Sequence, residues 1–364
     1  MPWFRLATYF NQACKHNHFI MYSVDMVWNI THYIAVINDP ILVFGLPRSG
    51  TTWLGKLFDS HPDTLYRHEP DSRHPFNDLP RFIPVGSADA CRETVLEFVN
   101  DLPASNTPDV SAKEPLFRKG YHTLWQWQLL RLTTKGAKLV RRIAPRFTPS
   151  VGYSGSGYPA PRLVWKSVVS LGRLGAVARI LNDATVFLLI RHPCGYIASI
   201  QRGQDLGKFN GQVLSSENFA VYEDLLECRA ARRYSLTMEK IRALSAVERL
   251  AWRWVLFNEQ CMDDLQDLPN AHVVRYEDLA GNPQRTMRHL FESAGLSWDA
   301  QTEKYILQST RKHATGYYDL VKIPRLSATG WQQELAADDI ARIVSIARDS
   351  GPGRLYADEL DIPA

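Results

Sequence analysis

The residues best suited to chemistry lie in Gly45-Leu-Pro47-Arg48-Ser49-Gly50-Thr51-Thr52, between the apolar run Ile41–Phe44 and a helical pattern that starts at Thr51. A strand, a glycine turn and a helix N-terminus, in that order, present backbone N–H groups to a phosphate. Gly45 and Gly50 have the GxxxxG spacing of a nucleotide P-loop, but Thr51 stands where that loop carries its Lys. Arg48 is the cation inside the loop, and a guanidinium grips two oxygens at once. Ser49, Thr51 and Thr52 add hydroxyl donors. A second set closes the strongest strand pattern of the chain, Thr185–Ile190: Arg191-His192-Pro193, then Ser199 about two helical turns further on. Arg191 and Ser199 can converge on a second phosphate at the edge where α/β sheets bind ligands. The plainer accounts are a strand–turn–helix without a ligand for the first set and a structural Arg at a strand end for the second.

Positioning two such sets requires strands that end side by side. Period and length predict strands at Ile41–Phe44, Leu163–Trp165, Thr185–Ile190 and Ala271–Arg275. Helices are predicted at Thr51–Phe58, 90–99, 120–132, 171–181, 195–202, 243–264 and 283–294, and from Trp331 and Asp338. Arg67–Pro84 reads as an extended loop, 145–161 as a mobile surface segment, and Gly316–Gly330 as a basic loop. The alternation predicts an α/β fold, a central mostly parallel sheet flanked by helices. The expectation is a single domain over residues 1–364, with an N-terminal extension at 1–40 and an acceptor-binding insertion at 72–160.

Composition narrows the class. The chain has 364 residues, with 42 Lys+Arg against 38 Asp+Glu and 45% hydrophobic residues, which is a folded globular protein and not a disordered tail. A net charge of +4 is too small for a nucleic-acid coat but leaves room for a basic pocket. Cys14, Cys91, Cys194, Cys228 and Cys261 are scattered without a CxxC pair, so neither a disulfide framework nor a zinc knuckle is expected, and a cytoplasmic, reducing location fits. Phe19–Phe44 is interrupted by Asp25, Asn29, His32, Asn38 and Asp39, short of the roughly 18 apolar residues of a transmembrane helix. Trp3 and Trp28 allow a peripheral membrane contact, with ordinary packing as the alternative. Oligomeric state is not legible.

These motifs together resemble the sulfotransferases that use 3′-phosphoadenosine 5′-phosphosulfate (PAPS) as donor and release PAP, and the resemblance runs from about Ile41 to Leu335. It implies that Pro47-Arg-Ser-Gly-Thr-Thr-Trp-Leu54 binds the 5′-phosphosulfate and that Arg191 and Ser199 bind the 3′-phosphate. It also places Tyr276-Glu-Asp-Leu279, followed by Asn282-Pro283, near the adenine, with Trp53 as a stacking candidate or a core residue. The family's C-terminal Arg-Lys-Gly is reduced here to Arg325, ahead of Gly330-Trp331. No metal is required by the implied chemistry.

The same resemblance frames the general base. The phenol and steroid branch uses a His two residues after a Lys. Trp165-Lys166-Ser-Val168 occupies that place, with Val168 at the His position. The branch acting on glycans, and bacterial members with it, uses a Glu after the first helix, and Arg67-His68-Glu69-Pro70 lies there. Glu69 is therefore the first candidate for base and His68 the second. Arg48 and Lys166 are the candidates for stabilising the leaving phosphate and the transferring group. The acceptor is a glycan or small-molecule hydroxyl. Lys113-Glu-Pro115 and the aromatic run Tyr121–Trp127 line an acceptor cleft or a helix core. The competing functions are a P-loop kinase of a small alcohol or nucleoside, which needs Lys at position 51 and an acidic Mg²⁺ ligand, and a nucleotide-binding protein without catalysis.

Overall fold

Five parallel strands in the order β2-β3-β1-β4-β5 carry the molecule: β1 Ile41–Phe44, β2 Thr64–His68, β3 Arg162–Ser167, β4 Thr185–Ile190 and β5 Ala271–Arg275. The computed structural model describes residues 39–76, 78–105, 107–143, 160–208, 213–311 and 324–360, with side chains at 137–143, 311 and 324–326 left out. The expectations for 1–38, Trp3, Trp28 and Cys14 among them, and for most of 145–161 and 316–323, lie outside the described residues.

The sheet is apolar because both of its faces are covered. Along β1, Leu42 and Phe44 point to one face and Ile41 and Val43 to the other, as a period of two dictates. The first face packs Trp165, Leu188 and Trp254, the last from the helix Ala246–Leu265. The second packs Leu54, Phe58 and Phe291 from the helices Thr51–Asp59 and Pro283–Ser293. Burying one such Leu or Phe side chain contributes about 1.5–3 kcal/mol.

Three segments differ in detail from the expectation. Arg67–Pro84 is not wholly a loop: Thr64–His68 is strand β2 at the sheet edge, and Pro70–Arg73 is a short helix. The helix expected over 243–264 is present as Ala246–Leu265, and a separate short helix, Met238–Ala243, precedes it. They part at Ser245, which accepts from the backbone N–H of Glu248 while the Glu248 carboxylate accepts from that of Ser245. That reciprocal cap starts a new helix rather than continuing the old one. Pro324–Thr329, within the expected basic loop, is also helical.

The four cysteines among the described residues are buried and unpaired. No described helix is long and apolar enough to cross a membrane.

Candidate active site at the carboxyl edge of the sheet

The topology brings the two phosphate motifs together. The chain leaves β1 toward β2 and leaves β4 toward β5, so connections depart in opposite directions from two neighbouring strands. Such a switch point opens a crevice at the carboxyl ends of the strands. The loop Gly45–Gly50 follows β1 and Arg191 follows β4, on the two sides of that crevice.

Three motifs distant in sequence touch there. Arg48 Nε donates to Ser199 Oγ at 3.2 Å, and Arg191 Nη1 donates to the Arg48 carbonyl at 3.0 Å. The Arg191 guanidinium lies 5.0 Å from the centre of the Tyr276 ring. Gly50 adopts φ 93°, and a Cβ there would meet the Tyr276 ring at 2.5 Å, so only glycine fits between loop and ring. The helix Thr51–Asp59 begins immediately after it, with its first-turn N–H groups at the loop. Pro47, Ser49, Thr51 and Thr52 thus surround one helix N-terminus. Trp53 is buried on this helix, its indole N–H given to Ser309 Oγ at 3.2 Å and its ring 6.3 Å from Tyr276.

Arg191 also donates from Nη2 to the Ser327 carbonyl at 2.5 Å, in the helix Pro324–Thr329 that contains Arg325. The Arg325 side chain lies outside the described residues. Gly330 precedes Trp331, whose ring stacks on His192 at 4.6 Å. Arg191 is buried, and its Nε has no partner. No carboxylate among the described residues is within ion-pair range of it. Glu277 feels its charge, but a buried guanidinium with an unbonded N–H and no carboxylate in ion-pair range is unfavourable unless an anion completes the site. The residues present therefore fit a phosphate.

On the other side of β1, Glu69 and Lys166 meet. His68 and Lys166 are register partners at the ends of β2 and β3, and Glu69 is the next residue along. The Glu69 N–H donates to the Lys166 carbonyl at 2.8 Å, and Lys166 Nζ donates to Glu69 Oε1. Glu69 takes φ 45° and Arg48 φ 73°. They are two of four non-glycine residues with positive φ among the described residues, and strain of this kind concentrates at functional sites. Burial lowers the Lys166 pKa, against the pull of Glu69. Burial, with the charges of Lys166, Lys113 and Lys56, holds His68 well below the ordinary histidine value, so its imidazole is neutral. Its Nδ1 lies 2.8 Å from Tyr66 Oη, and its Nε2 3.9 Å from Glu69 Oε1.

Sequence reasoning missed the support behind this pair. Asp71, two residues after Glu69, is buried and accepts from Ser167 Oγ and from the Trp165 indole, and burial raises its pKa. Lys56, Asp59 and Lys119 form a buried ion cluster behind the loop helix, with Lys56 Nζ also donating to the Lys113 carbonyl at 2.8 Å. A lysine on the apolar side of Thr51–Asp59 was the available signal. No group of three or more His, Cys, Asp or Glu among the described residues is arranged to hold a metal ion.

Residues 40–300 match the profile of the sulfotransferase family. The chain belongs to the sulfotransferase family. It is similar to carbohydrate sulfotransferase 5 of Mus musculus, with 25% identity over 292 residues, 76% of this chain and 68% of that protein. Among solved structures it is similar to sulfotransferase STF9 from Mycobacterium avium (15% identity, 90% of this chain and 78% of that one, TM-score 0.41). Another is mouse sulfotransferase SULT7A1 complexed with PAP (12% identity, 88% and 89%, TM-score 0.40). This sulfotransferase moves a sulfuryl group from PAPS to an acceptor hydroxyl and releases PAP. PAPS supplies an activated sulfur whose leaving group is a phosphate. The competing kinase reading fails with that assignment, and Thr51 in place of the P-loop Lys agrees with it.

Proposed function

We propose that this sulfotransferase sulfates a carbohydrate hydroxyl with Glu69 as general base. The observation that carries the reading is the Glu69–Lys166 pair at the ends of adjacent strands, beside the loop whose Arg48 reaches Ser199. The acceptor class follows from the 25% identical carbohydrate sulfotransferase. In this reading the described part of the insertion at 72–160 supplies the acceptor wall.

The roles follow from charge. The acceptor oxygen attacks sulfur as the bond from sulfur to the bridging phosphate oxygen breaks. The hydroxyl proton passes to Glu69, and the negative charge collects on the departing phosphate. Lys166 fixes Glu69 through Oε1, leaving Oε2 to take the proton, and its ammonium faces the charge on the sulfuryl oxygens. Arg48 and the first N–H groups of the helix at Thr51 and Thr52 meet the leaving phosphate. Arg191 and Ser199 hold the 3′-phosphate, and Tyr276 and Trp53 border the adenine. The helix Pro324–Thr329 and Gly330 border the donor side. His68, kept neutral, serves Glu69 as a neighbour and is the second candidate for base.

Transfer of radiolabelled sulfate from PAPS to a panel of glycans and small alcohols, with EDTA present, tests the acceptor class. Glu69→Gln preserves shape and removes basicity. PAP affinity stays within about twofold, while kcat falls by roughly 10²–10⁴. A Glu69→Gln enzyme with near-normal kcat, where chemistry limits the rate, would move the role to His68.

A further inference from the structure

The helix Leu124–Ile143 is built the wrong way round for a helix that serves only the core. Its inward side is narrow. Leu130 and Thr134 are buried, Leu130 against Leu65 and Ala112, and the preceding Tyr121 donates its hydroxyl to the Thr64 carbonyl at 3.0 Å. Its outward side is apolar. Trp125 is 85% exposed, Leu132 67% and Leu129 61%. These three recur at intervals of four and three, so they form one stripe turned away from the protein. The sequence continues the same period with Leu139 and Ile143.

Charge is as one-sided as hydrophobicity. Residues 124–143 contain Arg131, Lys135, Lys138, Arg141 and Arg142 and not one Asp or Glu. Arg131, Lys135, Lys138 and Arg142 recur at intervals of four, three and four, a second stripe in sequence beside the apolar one. Arg131 is itself held over the Trp127 ring at 4.7 Å.

We propose that this helix face docks the enzyme on an anionic lipid bilayer. A basic amphipathic helix with an aromatic ring at the head of its apolar stripe matches the headgroup boundary, where the ring and leucines enter the acyl layer and the cations meet lipid phosphates. A second copy of the chain is a poor occupant, because it would set one wholly basic helix against another. An acidic protein would answer the charge but would have to receive a protruding, largely exposed indole. The helix packs on edge strand β2, whose carboxyl end carries His68 and Glu69, so docking brings that edge of the sheet toward the headgroup layer.

Sedimentation of the full-length protein with phosphatidylcholine vesicles, pure or mixed with phosphatidylglycerol, tests this. Binding is expected to the mixed vesicles only, and to fall as salt rises. Trp125→Ser with Leu132→Ser lowers the partition at least tenfold. Arg131→Gln with Lys135→Gln lowers it roughly fivefold per charge removed. Brominated lipid quenches wild-type fluorescence more than that of Trp125→Phe, which still binds. PAP affinity, measured on each variant without vesicles, reports folding and the donor site separately, so a failure of the sulfotransferase reading would show there and not in the partition. Equal binding to both vesicle types overturns the proposal. So does no binding at all, binding indifferent to both substitution pairs, or a dimer that Trp125→Ser dissolves.

Discussion

Arg191 donates to two carbonyls, those of Arg48, 143 residues before it, and Ser327, 136 residues after it, and so ties the phosphate loop to the helix Pro324–Thr329. Its remaining Nε has no partner, and Glu277 feels its charge without pairing with it. Arg191→Ala therefore removes both a phosphate ligand and a brace. A hydrogen bond to a charged group contributes about 1.5–3 kcal/mol, so PAP affinity falls roughly 10- to 100-fold by calorimetry. Arg191→Lys recovers only part of it, because an ammonium lacks the planar fork. Ser199→Ala has a smaller effect on PAP and loosens Arg48, whose Nε it accepts. Wild-type PAP affinity in both alanine variants would remove the 3′-phosphate assignment.

At the scale of elements, the helix Thr51–Asp59 depends on charges buried beneath it. Lys56 and Lys119 share Asp59, and all three are buried. Burial lowers Lys56 to about 8, while the two lysines outweigh burial at Asp59 and hold its carboxylate below the usual range. Asp59→Asn leaves two ammonium groups without a counter-charge, and removing one partner of a buried pair costs about 3–5 kcal/mol. The denaturation midpoint drops accordingly. Replacing Lys56, Asp59 and Lys119 together by Met, Leu and Met recovers most of the loss. An unchanged midpoint in Asp59→Asn would show that the cluster carries no stability. This cluster also marks where the sequence stops being legible. β1 and β4 could be read because burial on both faces makes them continuously apolar, and the phosphate loop because glycine, Arg and hydroxyls adjoin a strand end. β2 could not, because Thr64-Leu-Tyr-Arg-His68 buries an arginine. Arg67 is accommodated there because carbonyls accept from it, among them those of Leu102 and Pro103, some 35 residues away, at 2.6 and 2.7 Å. The Arg48–Ser199 and Arg191–Arg48 bonds likewise depend on strand order, which no local pattern encodes.

For the whole molecule, acid is the expected weakness. His192 is buried on Trp331 with neither ring nitrogen bonded, and burial, then Arg191 and Arg275, push its pKa down to about 3. His61 and His68 are lowered as well, burial again first. The unfolded chain takes up protons near pH 6.5 while the folded one refuses them. Stability is therefore complete above that value and is lost as pH falls from 6.5 toward 3, by at most about 1.4 kcal/mol per unit for each such histidine. Asp71 and Glu277, whose pKa values burial raises, act with the opposite sign, so the effect is read as a difference. His192→Phe keeps a ring on Trp331. It should match wild type near pH 8 and become progressively more stable than wild type as the pH is lowered toward 4, in denaturant melts. Parallel acid limbs for the two proteins would show that His192 titrates normally.

The place of β1 in the middle of the sheet also has a consequence in time. Its neighbours are β3 and β4, so Ile41 waits for Val164 and Thr185, more than a hundred residues later, before any of its ladder forms. At roughly 5–20 residues per second, a ribosome leaves this apolar four-residue segment, and the phosphate loop attached to it, unpaired for on the order of ten seconds. The donor loop thus precedes the strands that flank it by more than a hundred residues and cannot take shape until they are made. Nascent chains stalled between β2 and β3 should accordingly be digested by protease at Ile41–Thr52, while chains stalled well past β4 should resist it. Protection in the shorter chains would mean that β1 finds a partner other than the one in the finished sheet.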